Sequence, residues 1–151
     1  MISVQAENFD IGLELEKLTK GDLNVGGVCC FVGLVRDIAG EKSIKAMTLE
    51  HYPAMTRKAL IEIETEAVNR WPLSNTLIIH RYGKLSPGDQ IVLVATASAH
   101  RKAAIEAMQF LIDWLKTKAP FWKLEETLDG GKWVDARSSD EAAAERWVKE
   151  T

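Results

Sequence analysis

Two lysines, Lys116 and Lys123, stand on either side of a proline and two large aromatic residues in the segment LKTKAPFWK (115–123). A solvated surface explains lysines without aromatic neighbours, and a hydrophobic core explains aromatic residues without lysines. Ammonium groups beside apolar walls are typical of a pocket for an anion, because partial removal of water strengthens their attraction to negative charge. The segment therefore predicts an anion-binding pocket.

Each lysine also has an ordinary structural interpretation. Lys116 shares a helix face with Ile105 and Ile112, so it can be a residue that lays its aliphatic stem on apolar surface near a helix C-terminus. Lys123 follows Pro120, which ends the helix, and can be an exposed residue of the next strand. If the chain turns at Pro120, the two ammonium groups instead converge on one site from different elements. Residue types alone leave both interpretations open.

Three further candidates for anion binding stand at the ends of predicted elements. Arg36 follows the apolar strand FVGLV and precedes the exposed loop 37–43, a position that suits recognition of a phosphate or carboxylate. His100 and Arg101 open a helix, where free backbone N–H groups favour an anion. The alternatives are a charge that marks the exit of a strand into water and a solvent-exposed helix start.

Motifs for several familiar chemistries are missing from the sequence. It contains no P-loop, no glycine-rich dinucleotide fingerprint, no G-x-S-x-G and no H-E-x-x-H. Cys29 and Cys30 are adjacent, which fits neither a disulfide framework nor a C-x-x-C site. His80 and Arg81 point to opposite faces of one strand and are interpreted as structural. We therefore expect neither a metal nor a cofactor.

Composition and charge narrow the class of protein. The chain has 151 residues, 46% of them hydrophobic and 27% charged, as is typical of one globular domain that spans residues 1–151. The net charge of −3 argues against broad nucleic-acid binding. No secretory signal is recognisable, and no apolar run reaches the roughly 20 residues of a membrane span. These features predict a cytoplasmic protein.

Both helices and strands are predicted as the elements that position these candidate residues. Periodicity and capping signals predict helices at about 10–21, 55–71 and 100–118, and a final one opened by a capping box at Ser138. Strands are predicted at 25–36 (buried), 46–52, 76–82 and 90–98, the last two joined through the turn SPGD (86–89). KLEETL and KWVDA flank DGG (129–131) and predict a hairpin. The pattern indicates an α+β fold with mainly antiparallel strands.

Five blocks of the sequence carry a resemblance to a known family: FVGLVRD, LEHYPAMT, IIHRYGKLSPGD, SAHRKAA and LKTKAPFWKLEE. In this order and at these separations, between about residues 25 and 147, they resemble the large, catalytic subunit of molybdopterin synthase. The resemblance implies an α/β hammerhead-like domain with an added β-hairpin region. It also implies an enzyme that transfers sulfur to cyclic pyranopterin monophosphate and forms the dithiolene of molybdopterin.

The same resemblance implies partners. In this family a small, ubiquitin-like sulfur-carrier subunit brings the sulfur as a thiocarboxylate on its C-terminal Gly-Gly, and this tail enters a pocket of the large subunit. Two large subunits form a central homodimer, and the complete assembly is a 2:2 heterotetramer. The small-molecule substrate is a pterin phosphate, with no nucleic acid, membrane or resident cofactor.

Residue by residue, the resemblance places the catalytic lysines of the family on Lys116 and Lys123. Substrate contacts fall on Leu34, Val35, Arg36, His100, Arg101, Lys116, Lys123, Leu124 and Glu125. The pocket wall falls on Phe31, Pro120 and Phe121. Whether Lys116 acts as a cation or as an amine nucleophile stays open.

Two other functions are compatible with the sequence. The chain can be a binding module that docks a ubiquitin-like tail without chemistry. It can also be a persulfide sulfurtransferase that uses Cys29 or Cys30, although an apolar strand disfavours the thiolate that such an enzyme needs.

Overall fold

Eight strands and four helices make up the part of the chain that the computed structural model describes, residues 1–37, 44–119, 121–127, 130–134 and 138–148. For residues 44–46, 122–127, 130–134 and 138–140 the backbone alone is described. The strands are β1 (Ile2–Gln5), β2 (Gly27–Leu34), β3 (Ile44–His51), β4 (Leu73–Arg81), β5 (Gly83–Leu85), β6 (Gln90–Ser98), β7 (Phe121–Thr127) and β8 (Gly130–Val134). The helices are α1 (Ile11–Thr19), α2 (Pro53–Arg70), α3 (Arg101–Lys118) and α4 (Ser138–Glu145). The predicted α+β fold is confirmed.

The strands form two sheets. The first sheet has the order β1-β4-β6-β2, and only its β1–β4 pair is parallel. The second sheet has the order β5-β3-β7-β8 and is antiparallel throughout. The predicted pairing of β4 with β6 and the β7–β8 hairpin are confirmed, although residue 129 of the hairpin turn lies outside the described residues.

Helices cover both faces of the first sheet. On one face, α2 and α3 bury a cluster that includes Leu60, Phe110 and Leu111 against Ile78 and Val94. Each such side chain contributes about 1.5–3 kcal/mol when it is fully buried. On the other face, α1 packs through Leu18 onto alternate positions of β4 and β6. Coverage on both sides explains the continuous apolar runs at 77–79 of β4 and 91–95 of β6, where the residues do not alternate with polar ones.

A smaller cluster joins the end of β2 to the second sheet. Val35 packs there with Met47 and Leu49 of β3 and with Leu85 of β5. All four side chains are buried, and the contact ties the chain just after β2 to the sheet that contains β7. The cluster therefore links the two parts of the chain that carry predicted site residues.

Several boundaries differ from the sequence prediction. The strand predicted as buried over 25–36 is β2, an edge strand of eight residues with Val28 and Cys30 exposed. The SPGD turn connects β5 to β6, because the short strand β5 leaves β4 to pair with β3. Helix α2 begins at Pro53, where the missing N–H of proline has no helical acceptor to lose. The short strand β1 was not predicted.

Among the described helices, none combines the length and the apolar character that crossing a bilayer requires. Helix α4 was predicted from a capping box at Ser138, whose side chain lies outside the described part of the structure.

Candidate active site

Lys116 lies in the last turn of α3 and is exposed. The helix beneath it is firmly packed, since Phe110, Leu111 and Leu115 belong to the main core. Of the two isoleucines predicted to share its face, Ile112 is buried but Ile105 is 51% exposed. In the single chain, this face therefore does not remove water from the ammonium of Lys116. Desolvation would have to come from a ligand or a partner.

A buried carboxylate holds the C-terminal helix onto α3 one turn before Lys116. Oδ2 of Asp113 accepts hydrogen bonds from Nε1 of Trp147 at 2.7 Å and from Nη2 of Arg146 at 2.9 Å. Arg70 of α2 donates through Nη1 to the backbone oxygen of Trp147 at 2.6 Å. These bonds connect α2, α3 and the end of α4, so the helix turn that carries Lys116 has a rigid support.

The chain turns directly from α3 into β7, as predicted. Ala119 is the C-cap in an extended conformation, and the N–H of Phe121 donates to its carbonyl oxygen at 2.9 Å. Pro120 itself lies outside the described residues. Lys123 follows on β7, so the two lysines belong to different elements.

The backbone register gives the positions of three predicted site residues on β7. Lys123 is the partner of Leu49, Leu124 that of Thr48, and Glu125 that of Met47. The side chains of these three residues on β7 lie outside the described part of the structure. Their strand is nevertheless fixed between β3 and β8 in the second sheet.

Phe121 contacts two imidazole rings. The ring of His80 stacks on it with 3.8 Å between centroids and 14° between planes, and His51 lies 5.7 Å away on a tilted plane. His80 is 9% exposed, and its Nδ1 lies 2.8 Å from the carbonyl oxygen of Arg81. Because a carbonyl oxygen only accepts, Nδ1 carries the hydrogen. Sequence reasoning missed this contact, although both histidines lie in blocks that carry the family resemblance.

Arg36 is exposed and is positioned by its neighbour Val35. The N–H of Val35 donates to the carbonyl oxygen of Asp89 at 2.9 Å, and its carbonyl oxygen accepts from the N–H of Gly88 at 2.7 Å. Gly88 has a φ of +90°, the left-handed region that favours glycine. With 3% exposure and both backbone groups bonded, Val35 supports Arg36 and presents no side chain to a ligand. Leu34, in contrast, is largely exposed.

Packing contacts bring the backbone at Arg36 close to the strand that carries Lys123. Val35 packs with Leu49, and Leu49 is the residue of β3 that stands opposite Lys123. Two of the predicted cationic positions are therefore attached to one apolar cluster. This proximity depends on contacts between distant segments and could not be predicted from spacing.

His100 and Arg101 lie at the opposite end of α3 from Lys116. His100 is the N-cap, in an extended conformation and without a side-chain cap bond, and both residues are exposed. A helix rises about 1.5 Å per residue, so Arg101 and Lys116 are separated by about 22 Å along the axis. A single chain does not bring the two ends of α3 to one small ligand.

Close backbone packing holds the start of α3, and sequence reasoning missed the residues that permit it. A Cβ added at Gly26 would lie 2.1 Å from the carbonyl oxygen of Ala99. The N–H of Gly26 donates to the carbonyl oxygen of Ser98 at 2.9 Å, and Oγ of Ser98 donates to that of Pro72 at 2.8 Å. The adjacent glycines of VGGV were the available signal for this approach. Gly26 thereby helps to place His100 and Arg101.

The remaining predicted residues lie on the edge strand β2. Phe31 is partly exposed opposite Val94, and a Cβ at Gly33 would come within 3.4 Å of its ring. Burial, and secondarily the neighbouring Cys30, raise the pKa of the Cys29 thiol. This shift disfavours a thiolate at Cys29. Across the described residues, no three His, Cys, Asp or Glu side chains are grouped as metal ligands.

Known proteins match this chain along most of its length. A family model described as MoaE protein matches residues 4–118. The molybdopterin synthase catalytic subunit of Escherichia coli (strain K12) is 53% identical over 146 residues, which are 97% of either chain. The solved MoaE protein from Burkholderia ambifaria MC40-6 is 49% identical with a TM-score of 0.85 over 99% of each chain.

A solved structure with lower sequence identity has the same fold. Molybdopterin synthase from Staphylococcus aureus is 32% identical, with a TM-score of 0.81 over 87% of this chain and 95% of that one. The agreement in sequence and in fold extends over the elements that carry Arg36, His100 and Lys116. The chain therefore belongs to the MoaE family, whose curated relatives are named molybdopterin synthase catalytic subunits.

Proposed function

We propose that this chain is the catalytic subunit of a molybdopterin synthase. It transfers sulfur from the C-terminal thiocarboxylate of a small, ubiquitin-like subunit to cyclic pyranopterin monophosphate, and two transfers build the dithiolene. Family membership supports the reaction class. The observation that carries the proposal is the exposed Lys116 at the end of a firmly packed helix, followed directly by the strand of Lys123.

Lys116 and Lys123 are the proposed catalytic pair. As a cation, Lys116 holds the thiocarboxylate and stabilises the negative charge that develops as sulfur leaves. As a neutral amine, it attacks the carbonyl carbon of the tail instead. A C–N bond then forms as the C–S bond breaks, hydrosulfide leaves for the pterin, and water must later hydrolyse the amide that remains on Lys116. Support for the cationic role comes from its exposure in the last turn of a helix, where the helix dipole favours positive charge.

The other proposed contacts surround this pair. Arg36 binds an anionic group of the substrate, and Leu34, Leu124 and Glu125 complete the contacts around Lys123. Phe31, Pro120 and Phe121 form the apolar wall against which a planar pterin can lie. Val35 is assigned to support Arg36, because it is buried.

We propose that the complete site spans two copies of the chain. His100 and Arg101 cannot reach a ligand at Lys116 of the same chain across about 22 Å of helix. A homodimer that places the start of one α3 near the end of the other would supply both. Each copy then binds one small subunit, which produces a 2:2 heterotetramer. We place this assembly in the cytoplasm, where Cys29 and Cys30 remain free thiols.

The direct test is reconstitution of the reaction. The purified chain, the thiocarboxylated small subunit and the pyranopterin precursor are combined, and dithiolene product is measured. The matched control uses the same small subunit with an ordinary C-terminal carboxylate, and it should yield none. Tight binding of the small subunit without product would instead indicate a module that only docks the tail.

A further inference from the structure

The stacked pair of His80 and Phe121 connects the two sheets at the entrance to β7. His80 is the penultimate residue of β4 in the first sheet, and Phe121 is the first residue of β7 in the second. Their ring centroids are 3.8 Å apart and nearly parallel. His80 is buried and Phe121 is partly buried, so His80 contacts Phe121 from the interior of the protein.

The orientation of the His80 ring is itself fixed. Its Nδ1–H donates to the carbonyl oxygen of Arg81 at 2.8 Å. Arg81 is held in turn by bonds from Nη1 to the carbonyl oxygen of Gln90 and from Nε to that of Ala6. A planar ring at this position presents a flat face to Phe121, which a flexible aliphatic side chain would not do.

Phe121 lies in the chain between the two proposed catalytic lysines. Its N–H bonds to Ala119 at the cap of α3, and its backbone pairs with His51 of β3. Lys116 lies on the helix before this point, and Lys123 lies on the strand after it. A shift of Phe121 would therefore move β7 relative to α3, and displacements near 1 Å can lower a rate by about a hundredfold.

We propose that His80 is a positioning residue for sulfur transfer, acting through Phe121 to set the start of β7 relative to Lys116. It touches neither substrate nor tail in this role. The inference rests on the proposed function for its effect on turnover, but the link between His80 and β7 is independent of that function.

The variants are His80→Ala, which removes the ring, and His80→Phe, which keeps a stacking ring without the Nδ1–H. The control is Ile79→Ala, the neighbouring buried residue on the opposite face of β4, packed in the cluster beneath α1. Ile79→Ala destabilises the fold without touching Phe121. Because His80→Ala can also lower stability, all rates are expressed per folded protein.

The first measurement is hydrogen exchange of the free chain. In His80→Ala, amides of residues 121–127 should exchange at least about tenfold faster while those of 90–98 keep their protection, and His80→Phe should restore protection. Ile79→Ala should show no such selectivity for β7. Unchanged protection of β7 in His80→Ala would overturn the proposal whatever the protein catalyses.

The second measurement is kcat with saturating substrates. His80→Ala should lower kcat by about ten- to a hundredfold. His80→Phe should recover kcat to within about threefold of the unmodified chain, and Ile79→Ala should stay within twofold of it.

A loss of kcat in His80→Ala that His80→Phe does not recover would mean that stacking is not the cause. Faster exchange with unchanged kcat would overturn the positioning role while leaving the proposed function intact. If the unmodified chain forms no dithiolene, the proposed function fails, and exchange alone then decides whether His80 holds β7.

Discussion

The indole of Trp147 donates a hydrogen bond of 2.7 Å to the buried carboxylate of Asp113. The same oxygen accepts from Arg146, so one carboxylate binds two neighbouring residues at the end of α4. A bond to a charged acceptor contributes about 1.5–3 kcal/mol. The bond therefore attaches a segment that is distant in sequence to the helix of Lys116.

Trp147→Phe should lower the free energy of unfolding by about 1–3 kcal/mol, because it keeps the aromatic packing but leaves the buried carboxylate with one partner fewer. Urea denaturation followed by circular dichroism measures the loss. Glu141→Gln, an exposed change on the same helix, is the control and should stay within about 0.5 kcal/mol. Equal stabilities for the two variants would mean that the Asp113 bond does not hold α4.

Lys116→Ala should lower turnover at least about a hundredfold, the scale of losing one preorganised electrostatic group. Folding should survive, because Lys116 is exposed at a helix end. Binding of the small subunit should largely survive, because Lys116 contacts only the end of its tail in the proposed site. Lys118→Ala is the control on the same helix turn. Partial activity of Lys116→Arg would support the cationic role, whereas complete loss would support an amine nucleophile or a tight steric fit. Turnover of Lys116→Ala within threefold of the unmodified chain would remove Lys116 from the centre of the site.

Arg101→Ala should weaken pterin binding by about ten- to a hundredfold, as expected for one charge-assisted contact of 1.5–3 kcal/mol. If the site spans two copies, mixing Arg101→Ala with Lys116→Ala chains creates mixed dimers with one intact site. Random pairing in a twofold dimer then restores about a quarter of the activity. Subunit exchange followed by a rate measurement at low substrate tests this expectation. No recovery in verified mixed dimers would show that Arg101 of one copy and Lys116 of the other do not form a shared site.

Gly26→Ala should weaken substrate binding without touching the substrate. The added methyl group would lie 2.1 Å from the carbonyl oxygen of Ala99, so the backbone before His100 and Arg101 must move. Isothermal titration with the precursor should show at least about a fivefold weaker affinity. Gly12→Ala is the matched control, because its nearest contact is an ordinary 3.4 Å and a helical alanine is favourable. Unchanged affinity in Gly26→Ala would show that the anion site tolerates the shift.

Replacement of both Cys29 and Cys30 by alanine should leave dithiolene formation within threefold of the unmodified chain. Burial raises the pKa of Cys29, which keeps this residue as a thiol near neutral pH and makes it a poor nucleophile. The same reconstitution assay measures the outcome. Loss of activity in a folded double variant would support the persulfide mechanism instead.

The sequence by itself determined the long helices and the places of Arg101 and Lys116 on one of them. Helix α3 was predicted at 100–118 and runs from Arg101 to Lys118, because apolar periodicity and Pro120 act within a few residues of the chain. The same prediction separates Arg101 from Lys116 by the length of a helix. Residue-by-residue resemblance to a known family then supplied the proposed roles.

The short strands and the edge position of β2 could not be predicted from the sequence and became clear only in the tertiary structure. β1 and β5 contain too few residues for a periodic signal, and β2 has a buried composition but lies at the edge of its sheet. Whether an apolar strand is central or peripheral depends on which distant segments pair with it, and no local pattern contains that information.

The contacts that hold the candidate site in place also depend on the tertiary structure. His80 was interpreted as structural because His80 and Arg81 are neighbours on a strand and point to opposite faces. The structure shows that the ring of His80 stacks on Phe121, which belongs to the other sheet. Asp113 is a charged residue on a helix, and only the packing of α4 makes it a buried acceptor. Local propensity acts between residues near in sequence, whereas burial and stacking act between residues near in space. The sequence therefore predicted where Lys116 lies, and the tertiary structure decided what holds it there.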